Sequence, residues 1–248
     1  MSELQNNTSE KLLILNDELF YGSGRHKKCY LHPSKDNLCI KIAYNRGGQT
    51  DLSREVNYIK ILKKRNKNYN ILPKFYGEIE TNLGHGYIFE VIRNYDKSKS
   101  ITLQEILLDE KLFANYFDLT VKLLKDLKIN LFENEIITMG LFPENVIFQK
   151  ISPDEYKVRI VNDMGSGVLI PLEYHFHYFA KTKVARRWEE FIVNLKKLYP
   201  SSLTNKLISF IVYHYFYISN TILHISLWYS NNVQRQIPNP FYHPKILN

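Results

Sequence analysis

The hydrophobic pattern of this chain changes period several times, and each change marks an element. Leu12–Tyr21 mixes apolar residues with polar breaks, as a strand does. Leu38–Tyr44 reads L-C-I-K-I-A-Y, a strand apolar on both sides of its single charge. Asp51–Lys67 shifts to helical spacing, with Leu52, Val56, Ile59 and Leu62 recurring and Thr50 or Asp51 able to cap the start. Pro73–Thr81 and Gly86–Arg93 return to strand patterning around a turn that contains Gly84 and Gly86. Asn94–Ser100 is polar and charged, the composition of a linker or hinge.

Beyond that linker the helical period dominates. Ile101–Asp109 reads as a short helix capped by Thr102. Lys111–Asn130 reads as a longer one, with Phe113, Phe117, Val121, Leu124 and Leu127 on one face. Two strand-like runs follow, I-I-T-M-G-L-F-P-E-N-V-I-F over Ile136–Phe148 and V-R-I-V-N-D-M-G over Val158–Gly165, with a short charged hairpin between them. Arg186–Tyr199 is amphipathic, with Trp188, Phe191, Ile192 and Leu195 on one side, and Pro200 ends it. Strands with one helix followed by mainly helices make an α+β chain. Residues 1–10 are expected to be disordered, 11–95 to form a small strand-rich unit, and 96–248 a mainly helical one.

Composition adds limits. With 248 residues and 44% apolar content the chain can bury a core, as one large domain or two small lobes. The net charge of +8 is spread over Arg25–Lys28, Lys60–Lys67, Lys122–Lys128 and Lys181–Lys197, which suits an anionic ligand or partner. The two cysteines, Cys29 and Cys39, fall on neighbouring strands, match no zinc spacing and point to a reduced, cytoplasmic protein. The polar, acidic start M-S-E-L-Q-N-N-T-S-E-K is unlike a signal peptide.

Leu207–Gln234 carries no Asp, Glu, Lys or Arg and is long enough to span a bilayer. Its polar load, including His214, Asn220, Thr221 and His224, favours a buried helical hairpin instead. Those two histidines lack the spacing of a metal pair, and the tail Pro238–Asn248 reads as extended.

Several residues carry candidate chemistry. Asn145 and Asp163 each end a strand-like run, and an amide and a carboxylate there are the hard oxygen ligands that Mg²⁺ takes beside a nucleotide phosphate. In G-S-G-R-H-K-K-C-Y, Gly22 and Gly24 make a turn whose backbone N–H groups a phosphate can approach, with Arg25, Lys27 and Lys28 adding charge. Lys41 sits inside an apolar strand, where a lysine must pair or lower its pKa. Glu55, near the inward face of the following helix, is placed to be its partner.

This order of features resembles the protein-kinase-like fold: glycine loop, strand Lys, helix Glu, hairpin, hinge, two helices, P-x-N loop, D-x-G. More narrowly, the chain resembles the YrbL family, bacterial kinase-like proteins named after a member of the PhoP regulatory network. The matching residues are G-S-G-R-H-K-K-C-Y-L-H-P at 22–33, C-I-K-I at 39–42, S-R-E-V at 53–56, I-T-L-Q-E at 101–105, I-T-M-G-L-F-P-E-N at 137–145, N-D-M-G at 162–165 and L-I-P-L at 169–172. The resemblance implies a two-lobed kinase-like fold, with an antiparallel sheet and one helix in the small lobe and a mainly helical large lobe. It implies ATP and Mg²⁺ as cofactors. Gly22 and Gly24 would lie over the phosphates, Lys41 would hold them and pair with Glu55, and Asn145 and Asp163 would hold the metal. Segment 90–96 would be the hinge against the adenine, contacted through Glu90 and Ile92. Lys41, Glu55 and Asp163 would be the catalytic set.

The departures from that pattern are as informative. The third loop glycine is replaced by Lys27. The position of the catalytic Asp is Gly140, Thr138 and Met139 stand where His-Arg would, and Phe142 replaces the catalytic-loop lysine. D-F-G is Asp163-Met164-Gly165, and no A-P-E follows. A general base contributes ~10²–10⁴-fold, so its loss implies a slow site rather than a dead one. Glu144 is a candidate substitute, although an exposed loop residue is the favoured reading.

The expectation is therefore an atypical phosphotransferase acting on a protein or small-molecule hydroxyl. The alternatives are a pseudokinase acting as a nucleotide-dependent binding module, or transfer of AMP. The basic residues match no nucleic-acid reader motif, which disfavours that class.

Overall fold

The computed structural model describes residues 12–213. Its first strand is shorter than the apolar pattern implies. The Asn16 side chain accepts the Leu19 N–H and starts a 3-10 turn over Asp17–Leu19, so β1 is only Phe20–Ser23. Of the residues before it, Leu13 makes a single bridge to Thr81. With β2 (Lys27–Leu31), β3 (Leu38–Ala43), β4 (Phe75–Thr81) and β5 (Gly84–Glu90), β1 forms an antiparallel five-stranded sheet ordered β1-β2-β3-β5-β4. The β4–β5 turn is Asn82-Leu83, tighter than expected, because Gly84 takes a left-handed φ of +104° and already belongs to β5.

Helix α1 spans Arg46–Lys64 and begins well before Asp51. Its cap is Asn45, whose side chain accepts the Gly48 N–H at 2.9 Å, and not Thr50 or Asp51. Gly47 and Gly48 read as helix breakers, but they lie in the first turn, where packing needs the missing side chain. A Cβ at Gly48 would lie 2.1 Å from the His26 carbonyl oxygen. The helix start therefore abuts the β1–β2 turn. Leu52, Val56, Ile59 and Leu62 are buried as their spacing predicts.

After Asn94–Ser100 the chain pairs β6 (Ile101–Thr102), β7 (Val146–Ser152) and β8 (Glu155–Ile160) into a three-stranded antiparallel sheet. Between β6 and β7 lie α2 (Leu103–Leu108), α3 (Glu110–Asn115) and α4 (Phe117–Glu133). Thr102 and Glu105 close a capping box on α2. The single helix expected over Lys111–Asn130 is two, broken at Tyr116 (φ −98°, ψ 8°), across which Phe113 and Phe117 are both buried. Ile136–Leu141 is not a strand. It is an extended crossing that touches the D-M-G segment through a Thr138–Met164 bridge. Helix α5 spans His177–Leu198, starting before Arg186, and α6 spans Ser202–Tyr213.

The architecture is α+β. One apolar core runs from Leu52, Val56 and Phe89 at the larger sheet to Phe148, Trp188 and Phe191. A smaller cluster of Leu15, Tyr30, Ile40 and Ile42 covers the sheet's other face. β3 is thus buried on both faces, and the alternation that turns Ile40 and Ile42 one way turns Cys39 and Lys41 toward the main core. No helix among the described residues is long and apolar enough to cross a membrane. The expectations for residues 1–10, for most of Leu207–Gln234 including His214 and His224, and for the tail lie outside the described residues.

Candidate functional site

Lys41 is held where its strand and its pairing demand. Its side chain is 9% exposed, and its ammonium lies 4.6 Å from the Phe89 ring centroid. It donates to Glu55 Oε2 at 3.3 Å, to the Val161 carbonyl at 2.8 Å and to Asn162 Oδ1 at 3.3 Å. The expected Lys41–Glu55 pair is therefore formed. Burial is the largest effect and works against the Lys41 ammonium, but the Glu55 carboxylate together with Cys39 and Cys29 holds the lysine above its ordinary range. Glu55 is fully buried, and burial favours its protonated form. Lys41 and Lys27 outweigh that and hold its carboxyl below the usual range.

Asn145 ends a 3-10 turn over Pro143–Asn145 just before β7, and Asp163 follows β8. Backbone pairing brings the two together, since Val161 N–H donates to the Asn145 carbonyl at 3.1 Å. The Asn145 amide donates to Asp163 Oδ2 at 2.7 Å. Asp163 has a left-handed φ of +60°, which Asp tolerates better than most side chains, and its N–H donates to Glu55 Oε1 at 3.2 Å. Burial raises the Asp163 carboxyl above its ordinary pKa, Lys27 offsets part of that, and Glu55 adds to it. Asn162 joins the two halves. It accepts from Lys41 and donates to Asn145 Oδ1 at 3.1 Å. Lys41, Glu55, Asn145, Asn162 and Asp163 are thus one hydrogen-bonded group drawn from β3, α1 and the ends of β7 and β8.

Asn145 and Asp163 are the two oxygen donors that could hold a divalent cation. For both oxygens to face one ion the Asn145 amide would turn over, exchanging its Nδ2 and Oδ1 ends. No cluster of three or more His, Cys, Asp or Glu that could hold a metal alone occurs among the described residues. A two-oxygen set fits Mg²⁺, which keeps waters and takes phosphate oxygens for its remaining positions.

Three residues that bond within or beside this site, Asn162, Lys27 and Arg159, had no such role in the sequence reading. Asn162 lies inside N-D-M-G, where only Asp163 carried a candidate role. Lys27 was counted only as charge on the glycine turn, yet its ammonium sits on Glu55 Oε1 with the side chain 12% exposed. Arg159 on β8 ties the smaller sheet to the end of β5, bonding Glu90 Oε2 at 2.7 Å, Gln149 Oε1 at 2.9 Å and the Leu72 carbonyl at 3.2 Å. No local pattern marks it, because its partners lie on three other segments.

Glu90 and Ile92 lie where the chain leaves β5. The Glu90 carboxylate is taken by Arg159, so any ligand contact at that residue falls to its backbone. The Ile92 carbonyl accepts the Tyr21 hydroxyl at 3.1 Å, which joins this segment to the residue just before Gly22. Neither Gly22 nor Gly24 is demanded by the protein itself. A Cβ at Gly22 would meet nothing within 4 Å, and one at Gly24 would meet only the Lys27 carbonyl, at 3.9 Å.

The Gly140 loop differs. A Cβ at Gly140 would lie 2.4 Å from the Phe142 ring, which covers the position where an acidic side chain would stand. Glu144 is exposed, and its charge is felt at the Tyr199 hydroxyl. That is the loop residue expected, not a buried base.

The family model described as PhoP regulatory network protein YrbL matches residues 13–196. A protein of Escherichia coli (strain K12) printed as "Uncharacterized protein YrbL" is 36% identical over 183 residues, covering 73% of this chain and 87% of that relative. The protein of the same description from Shigella flexneri matches to the same extent.

Proposed function

The chain belongs to the YrbL family, and from that premise we propose that it is a kinase-like protein that binds ATP with Mg²⁺ and acts as an atypical phosphotransferase. One observation carries the reading. Lys41, Glu55, Asn145, Asn162 and Asp163 come from distant parts of the sequence and meet in one continuous hydrogen-bonded group. A core needs no such group, since buried charges are expensive unless function retains them. The glycine turn supports the same reading. Nothing in the protein requires Gly22 or Gly24, so their open backbone suits a ligand approaching from outside.

In this reading Lys41 binds the phosphate chain and Glu55 orients Lys41. Asn145 and Asp163 hold the metal, and Asn162 fixes the distance between lysine and ligands. Mg²⁺, when bound, would neutralise phosphate charge. Acceptance of a hydroxyl proton has no side chain assigned to it, because Phe142 stands over Gly140. That feature favours a second reading, a pseudokinase whose nucleotide binding sets its affinity for a partner.

Production of ADP, or transfer of labelled γ-phosphate to the chain or an added hydroxyl acceptor, separates the two. The enzyme reading expects slow turnover that Asp163→Ala abolishes while the far-ultraviolet spectrum stays unchanged. Nucleotide binding with no turnover above the Asp163→Ala background would overturn it in favour of the binding module.

A further inference from the structure

Lys27 bonds Glu55 within the site, and the reading above gives it no task. It opens β2 directly after the glycine turn, and its backbone is fixed. Its carbonyl accepts the Gly24 N–H at 2.8 Å, and its Cα faces Ala43 across the ladder. What remains free is the four-carbon arm. That arm lies inward, 12% exposed, with its ammonium on Glu55 Oε1.

Glu55 has other partners. Lys41 already meets this carboxylate, and the Asp163 N–H donates to it as well. The two lysines are also held differently. Lys41 has three acceptors, Glu55, Val161 and Asn162, whereas the hydrogen bond of Lys27 among the described residues goes to Glu55. An ammonium carries three donors, and a largely buried one with a single acceptor is poorly compensated. Burial accordingly favours its neutral form, with Glu55 opposing. The Glu55 Oε1 that takes the Lys27 ammonium also accepts the Asp163 N–H, which places Lys27 toward the Asp163 side of the group.

We propose that Lys27 is a second phosphate-binding lysine of this site, delivered by the glycine turn and aimed by Glu55 at the phosphate chain of a nucleoside di- or triphosphate. The proposal rests on the nucleotide-binding reading. It gives the turn a role that a third glycine would not fill. A glycine offers an N–H to a phosphate, whereas Lys27 brings a full positive charge on a flexible arm. Two lysines share one buried carboxylate, so an ammonium is left for a polyphosphate, and Lys27 makes affinity depend on phosphate more than on the base.

An acyl-phosphate derivative of ATP, which transfers its acyl group to amines touching the phosphates, tests this on the full wild-type chain with Mg²⁺. Peptide mass spectrometry should find both Lys27 and Lys41 acylated, and excess ATP should protect both. Acylation of Lys41 alone would overturn the proposal and leave the nucleotide reading standing. Acylation of neither would overturn both. As a second arm, Lys27→Met should weaken ATP binding by about ten-fold and leave adenosine binding unchanged. Equal or tighter ATP binding by that variant would contradict a phosphate-binding role.

Discussion

The two sides of the candidate site are built to different standards. On the side of β3 and α1, Lys41 and Glu55 are each fixed by several partners. Lys41 has three acceptors, and Glu55 receives two ammonium groups and a backbone N–H. On the side of the Ile136–Asn145 crossing, an aromatic ring rests against Gly140, and Glu144 is exposed. The contrast teaches where the chain's chemistry is concentrated. Charged and polar groups are brought together around Lys41, Glu55 and Asp163, whereas Gly140 among the described residues faces the Phe142 ring.

The sharpest way to break that contrast is to remove Glu55. In Glu55→Gln both Lys27 and Lys41 lose their carboxylate in a buried place, and truncating one partner of such a pair costs about 3–5 kcal/mol. Chemical denaturation should show that loss at neutral pH. Because Glu55 is held below its usual range by Lys41 and Lys27 against the opposing effect of burial, its stabilisation is complete above the ordinary glutamate pKa. It fades as pH falls through the lowered folded value. The stabilities of wild type and variant should therefore converge in acid. A constant difference across pH would mean that shape, not charge, sets the effect.

The opposite side can be sharpened instead. Gly140→Asp must displace the Phe142 ring, an overpacking worth about 1–3 kcal/mol. The same change made in a Phe142→Ala background should lose most of that penalty, and a double-mutant cycle reads the coupling. Additive effects would show that the ring does not bar an acid from this position. A smaller effect is expected at Asp163, whose carboxyl burial pushes up. Asp163→Asn keeps a side chain suited to the left-handed φ and removes the buried charge, so without added ligand it should stabilise the fold by about 0.5–2 kcal/mol. A destabilised Asp163→Asn would indicate that the carboxylate is structural.

Much of this was legible from residue patterns, and the exceptions share a cause. The strand lysine and the helix glutamate were visible because each lies in an element with clear periodicity, and Asn145 and Asp163 because they border the apolar runs of β7 and β8. The start of α1 was not, because Gly47 and Gly48 argue against a helix unless one knows that the His26 carbonyl packs there. Propensity yielded to a tertiary contact. The break at Tyr116 was hidden because Phe113 and Phe117 keep helical spacing across it. Lys27, Asn162 and Arg159 act through partners remote in sequence, at separations of 28, 121 and 69 residues for Glu55, Lys41 and Glu90. No local pattern encodes such pairs.

The central claim is that this group of residues binds a nucleotide through its phosphates and a metal. Thermal unfolding of the full chain with ATP, with and without Mg²⁺, tests it most directly. At 100 times its Kd a ligand stabilises the native state by about 2.7 kcal/mol, which is readily seen in Tm. The account predicts a rise with ATP that is larger with Mg²⁺ and much smaller with adenosine at the same concentration. An unchanged Tm with ATP and Mg²⁺ at millimolar concentration would contradict it, and an equal rise with adenosine would show that the phosphate-facing lysines are not what binds.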